Sequence, residues 1–138
     1  MPIPFTGGCI CGAIRYECSA EPAFAGNCHC RDCQRATGSA FAPNVFAPCT
    51  AVTITGDVKY YDVKADSGHT VSRGFCPTCG ARLFLKPAMM PDMLGIMAGS
   101  LDDPTWFRPL MDIYTASAQP WDFMKPDLSK FPQMPSKE

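Results

Sequence analysis

The chain of 138 residues has no long apolar run, no excess of one charge, and only two histidines and two tryptophans. Twelve Lys and Arg against thirteen Asp and Glu give a formal charge of -1, and the basic residues are scattered. That balance argues against a nucleic-acid or membrane-surface partner. No apolar stretch approaches the ~20 residues of a membrane-spanning helix. The start, Met1 to Gly8, has neither the basic nor the apolar region of a secretory signal. No internal repeat is visible. No window carries a sustained apolar stripe of helical period, which speaks against a helical bundle.

What is present is punctuation. Fourteen prolines and eleven glycines divide the chain into short segments. That composition favours strands and turns over long helices. Strand candidates are Ile10 to Glu17, Asn44 to Phe46, Ala51 to Ile54, Val58 to Val63, His69 to Phe75, Arg82 to Lys86, Leu94 to Ala98 and Leu110 to Thr115. Asp32 to Gly38 reads as one helical turn and Asp102-Asp103-Pro104 as another. The expected fold is a single all-β domain of short antiparallel strands over residues 1–122. An irregular tail over residues 123–138 is rich in proline and charge. Phe41, Phe46, Tyr60, Tyr61, Phe84 and Tyr114 are the expected aromatic core.

Nine cysteines dominate the chemistry, and seven fall in three clusters: Cys9-x-Cys11, Cys28-x-Cys30-x-x-Cys33 and Cys76-x-x-Cys79. A disulfide scaffold is the competing reading. The odd count, the lack of a secretion signal and the metal-ligand spacings favour reduced thiolates on zinc, in the cytoplasm. Two thiolates on one zinc lie roughly 3.8 Å apart, given tetrahedral angles and a Zn–S length of ~2.3 Å. The turn Cys76-Pro77-Thr78-Cys79-Gly80 delivers that spacing, with Gly80 free to turn left-handed. In a strand, Cys9 and Cys11 would stand about 6.6 Å apart, so the chain must bend there, and Gly7, Gly8 and Gly12 permit it. Together Cys9, Cys11, Cys76 and Cys79 make one closed, structural four-thiolate site. The alternative leaves Cys9 and Cys11 merely buried.

The triad Cys28, Cys30 and Cys33 supplies three thiolates from one short loop and leaves a fourth place open. A zinc with three thiolates is a poor activator of water and a suitable host for one more thiol. The expected chemistry is thiol capture. The alternative is a second closed site completed by His69, Cys18, Cys49 or an aspartate. His29, between two ligating cysteines, is expected to point away or serve structure, and Cys18 and Cys49 to be buried apolar residues.

The motifs Gly8-Cys9-Ile10-Cys11-Gly12-Ala13-Ile14-Arg15-Tyr16, Cys28-His29-Cys30-Arg31-Asp32-Cys33-Gln34-Arg35-Ala36-Thr37-Gly38-Ser39, Ser67-Gly68, Phe75-Cys76-Pro77-Thr78-Cys79-Gly80 and Gly99-Ser100-Leu101-Asp102-Asp103-Pro104 run almost the length of the chain. With the Trp121 region, they resemble the glutathione-dependent formaldehyde-activating enzymes, the GFA or CENP-V/GFA domain. The resemblance implies an Mss4-like, β-tent fold. It also implies a structural zinc on Cys9, Cys11, Cys76 and Cys79, and a catalytic zinc on Cys28, Cys30 and Cys33. The implied activity is that of a carbon–sulfur lyase, adding the thiol of glutathione to formaldehyde.

Glutathione carries two carboxylates. Arg31 and Arg35, which flank the triad, are the expected binding residues, with Arg73 ranked behind them. The expected partners are a small-molecule thiol and aldehyde, with no nucleic acid and no membrane. Two other readings stand beside this one: an enzyme of another thiol adduct, and a non-catalytic zinc module that binds a protein.

Overall fold

The computed structural model describes residues 3–135. The chain begins with β1 (Phe5–Gly8), β2 (Arg15–Cys18) and β3 (Phe24–Cys28), followed by the helix α1 (Arg31–Thr37). Then come β4 (Ala42–Pro48), β5 (Val52–Thr55), β6 (Lys59–Lys64), β7 (Thr70–Phe75), β8 (Arg82–Pro87) and β9 (Met93–Met97). The short β10 (Met111–Ile113) and β11 (Ser129–Lys130) complete the set. Four single-turn 3₁₀ segments fill connections, among them Pro104–Trp106 beside the expected Asp102-Asp103-Pro104 turn.

The strands form two sheets. One has the order β1-β2-β5, and the other β11-β10-β3-β4-β9-β8-β7-β6. Most pairings are antiparallel, as in the hairpins β6–β7 and β7–β8. Two are parallel, which the expected antiparallel set did not include: β10 runs parallel to both β3 and β11.

Alternation decides which side chains enter the core. In β2, Tyr16 and Cys18 are buried while Arg15 and Glu17 face solvent. Phe5, Ile14, Tyr16, Val45, Leu83, Phe84, Leu94, Ile96 and Leu101 make one apolar cluster between the sheets. Central β9 is buried at four of its five positions, as a covered strand requires. Of the expected aromatic core, only Phe84 is fully buried. Tyr61 is 67% exposed on β6, the edge strand of the large sheet.

Two expected elements differ. The Ile10 to Glu17 strand begins only at Arg15, because Cys9 to Ala13 form the tight turn joining β1 to β2, closed by the Cys9 amide donating to Ile14 O at 3.1 Å. The Asp32 to Gly38 turn is a two-turn helix. Its N-cap is Cys30, whose sulfur accepts from the Cys33 amide at 3.3 Å, and left-handed Gly38 (φ 69°) closes its C-terminus. A thiol cap carries none of the Ser, Thr, Asp or Asn signals by which helix starts are read.

Over residues 123–135 the backbone is mostly irregular, yet it is tied to the large sheet. β11 pairs with β10, and the Phe131 amide donates to Asp112 O at 2.9 Å.

Candidate functional site

The three cysteine clusters become two sites. The β1–β2 turn brings Cys9 and Cys11 against Cys76 and Cys79 from the β7–β8 turn, with all four sulfurs within 4.8 Å of one another. Cys9 Sγ is 3.6 Å from Cys11 Sγ, which is 3.8 Å from Cys76 Sγ. Those separations match tetrahedral thiolate ligation of zinc, ~3.8 Å between sulfurs. Backbone amides also serve the sulfurs: Ile14 N donates to Cys9 Sγ at 3.3 Å and Cys79 N to Cys76 Sγ at 3.5 Å. The Ala81 amide leads the bonds that pull the Cys79 thiol down to about 6. Gly80 takes the expected left-handed conformation, φ 78°. The cluster joins the small sheet to the large one across 65 positions of sequence.

The second site lies where β3 ends and α1 begins. Cys28 is the last residue of β3, Cys30 caps α1 and Cys33 sits in its first turn, again with sulfurs within 4.8 Å. Among the described residues no His, Asp, Glu or fourth Cys joins this cluster. His69 is exposed, Cys18 Sγ is turned to Ala20 O and Cys49 Sγ to Pro91 O. The donor set is therefore three soft sulfurs, suited to a thiophilic ion such as zinc. Cys28 and Cys33 are buried and Cys30 half-buried. Hydrogen bonding with Cys28 and Cys33 holds Cys30 well below the ordinary thiol range, and hydrogen bonding with Cys30 and Cys33 pushes Cys28 up.

Four neighbours define this triad's surroundings. Arg73, on β7 and only 8% exposed, donates from Nη2 to Cys33 Sγ at 3.6 Å. His29 is turned away from the sulfurs: its Nε2 faces Asp112 Oδ1 at 2.8 Å and its Nδ1 faces Asp122 Oδ2. Gln34 Nε2 donates to the carbonyls of His29 at 2.7 Å and Ser117 at 3.0 Å, tying α1 to the chain beyond β10. Tyr114 packs against the cluster from the end of β10 and, alone among the described non-glycine residues, has a positive φ, 57°. A left-handed tyrosine is strained, and such strain gathers at functional sites. Burial, then the charges of Cys28 and Cys30, push its hydroxyl above the usual range.

Beside the triad runs a cleft of about 390 Å³. Asp32, Arg35 and Ala36 form its α1 wall, and Tyr61, Val63, Arg73, Phe75 and Arg82 the facing sheet wall. Of the arginines expected from sequence, Arg35 lines this cleft, whereas Arg31 turns along α1 to Gln34 Oε1. Arg73 reaches the triad itself. Arg82 was not anticipated: it stands beyond Cys79, and the irregular register at Gly74/Phe75 sets it opposite Phe75. The sequence signal for Arg73 was only its place three residues before the knuckle.

A family model described as glutathione-dependent formaldehyde-activating enzyme matches residues 4–117. The crystal structure of a Rhodobacter sphaeroides protein resembles the chain with a TM-score of 0.58 at 18% identity, covering 91% of this chain and 98% of that one. At that identity the likeness bears on the fold alone. The fold is all-β and Mss4-like, as expected. The family match spans most of the chain, and the protein belongs to the glutathione-dependent formaldehyde-activating enzyme family.

Proposed function

We propose that the protein is a zinc-dependent carbon–sulfur lyase that adds the thiol of glutathione to formaldehyde or a related small aldehyde. The observation that carries this reading is the contrast between the clusters: four sulfurs in one, three in the other with no fourth donor among the described residues. A closed thiolate set serves structure; a set with a free place can take a ligand. Family membership supplies the reaction class.

In this reading Cys9, Cys11, Cys76 and Cys79 hold a structural zinc, and Cys28, Cys30 and Cys33 a catalytic one. Bound at the triad, zinc would lower the pKa of an incoming thiol. The residues do the rest. The cap bond to Cys30 and the Arg73 bond to Cys33 orient two of the sulfurs and spread their charge. Gln34 and His29 hold the loop that carries all three. Tyr114 covers one side of the cluster and limits water there. In the addition a sulfur–carbon bond forms, the carbonyl π bond breaks, and the thiol proton ends on the new hydroxyl. No oxidant or reductant is needed. Holding thiol and aldehyde together supplies most of the gain. Nine cysteines outside any disulfide suit a reducing compartment such as the cytoplasm.

Native mass spectrometry of the freshly purified protein tests the proposal, with and without glutathione. Two zincs, and a glutathione adduct that disappears in Cys30→Ser, are expected. Two zincs with no adduct would redirect the reading to another thiol or to a site closed by a further ligand. One zinc and no adduct would leave a protein-binding zinc module.

A further inference from the structure

Resting on the reading that the triad binds zinc, we propose that Asp122 is a positioning residue for the three-cysteine loop. It acts through His29, and Gln119 supports it through Gln34. Residues 117–122 then complete the site from outside the sheet that carries it.

This stretch sorts its side chains against the hydrophobic rule. Trp121 is 62% and Phe123 99% exposed, while the Asp122 side chain between them is 1% exposed. Apolar burial of those two rings therefore does not hold the stretch down. A buried carboxylate needs a partner. Among the described residues that partner is His29, whose Nδ1 faces Asp122 Oδ2. The other carboxylate oxygen, Oδ1, is buried with no partner. A carboxylate buried in this way adds little net stability; what it can fix is an orientation.

The orientation at stake belongs to the residue between two sulfurs. Cys28 ends β3, and Cys30 is extended, with φ -66° and ψ 157°. Successive side chains of an extended chain alternate. Holding the His29 ring on one side therefore presents Cys28 and Cys30 on the other. Asp112 Oδ1 meets the Nε2 end of the ring and Asp122 the Nδ1 end. One contact would leave the ring free to swing; two hold it.

The same stretch grips the loop a second time. Ser117 O accepts from Gln34 Nε2 at 3.0 Å, and Gln119 Nε2 donates to Gln34 Oε1 at 3.3 Å. Gln34 Nε2 also donates to His29 O at 2.7 Å. Residues 117–122 thus brace the sulfur-bearing loop at His29 and again at Gln34 in α1. Gln119 and Asp122 lie past residue 117, where the family match ends, so that match gives them no role.

The test measures zinc affinity by chelator competition on the full-length protein loaded with two zincs. Asp122→Ala should weaken one zinc about 10-fold or more, the loss typical of outer contacts of a metal site, and leave the other unchanged. In a Cys30→Ser background, which keeps only the four-thiolate zinc, Asp122→Ala should change nothing. Asp122→Asn retains an oxygen for His29 and should restore most of the affinity. His29 keeps Asp112 in Asp122→Ala, so the fold should survive. Should it not, half-buried Gln119→Ala decides, with a smaller weakening of the same zinc expected and none overturning the proposal. Unchanged affinities in Asp122→Ala overturn it. So does parallel weakening of both zincs with the denaturation midpoint, the mark of a purely structural contact. A wild type holding one zinc removes the metal reading and the proposal together. Selective weakening of one zinc, in a protein that forms no glutathione adduct, would keep the positioning role and discard the lyase.

Discussion

His29 and Asp112, 83 positions apart, meet inside the protein with Nε2 and Oδ1 2.8 Å from each other, each 1% exposed. His29 Nδ1 faces Asp122 Oδ2, so both ring nitrogens lie against carboxylates. Asp112 also accepts from Lys130 Nζ at 2.8 Å and from Asn27 Nδ2 at 3.3 Å. The residue between Cys28 and Cys30 is thereby clamped to β10 and to the segment before β11. Asp112→Ala leaves His29 and Lys130 without a shared acceptor. Breaking such a buried pair costs about 3 kcal/mol. Urea denaturation should show a drop of that size, and a change below about 0.5 kcal/mol would remove the clamp from the forces holding the fold.

The two cysteine sites should separate on substitution. Cys79→Ser should lose one zinc and the cooperative thermal transition together, because apparent zinc-binding energies of about 10–16 kcal/mol rival a small domain's whole stability. Cys30→Ser should lose the other zinc and keep the transition. Metal analysis with circular dichroism reads both. A folded, cooperative Cys79→Ser protein would contradict the structural role.

Gly7 is a close-approach position. A Cβ there would lie 2.2 Å from Tyr16 Oη and 2.4 Å from the Ser100 carbonyl oxygen. It would separate the Tyr16 and Ser100 hydroxyls, now 2.7 Å apart. Gly7→Ala should cost about 2 kcal/mol or more, as overpacking does in a filled core. Gly12→Ala is the informative contrast: a Cβ at Gly12 meets no atom within 4 Å, so only its left-handed φ of 81° opposes the change. The denaturation midpoint should therefore fall further for Gly7→Ala than for Gly12→Ala.

Acid should weaken the tie between β1, β2 and the segment after β9 that carries Asp102. Asp102 accepts from Arg15 and from Thr6, which hold its carboxyl down to about 2. A depressed folded-state value stabilises the protein above the ordinary carboxylate range near pH 4, and the benefit fades as pH falls toward about 2. The denaturation midpoints of wild type and Asp102→Asn should differ by a constant amount from pH 7 to about 4 and converge below it. A gap that widened on acidification would contradict the assignment.

The grouping of the sulfurs was legible in the chain where it is local. Cys28, Cys30 and Cys33 share one loop and Cys76 and Cys79 one turn, so spacing alone restricts which sulfurs can meet. The strand candidates were legible where β-formers ran between prolines and glycines, as in β6 and β7. β3 was not: Phe24-Ala25-Gly26-Asn27-Cys28 has few β-formers, and only its pairing with β4 and β10 makes it a strand. The same holds for β1, half glycine.

By itself, then, the sequence determined the donor types, their grouping into a set of four and a set of three, and an all-β domain punctuated by turns. Only the tertiary structure decided what surrounds the open set. Arg73 reaches Cys33, Arg82 joins the cleft, Arg31 leaves it, and His29 turns to Asp112 and Asp122. The reason is physical. Ligand spacing within one turn is set by bond geometry, whereas the direction of a side chain from a distant strand depends on register, and one slipped residue reverses its face.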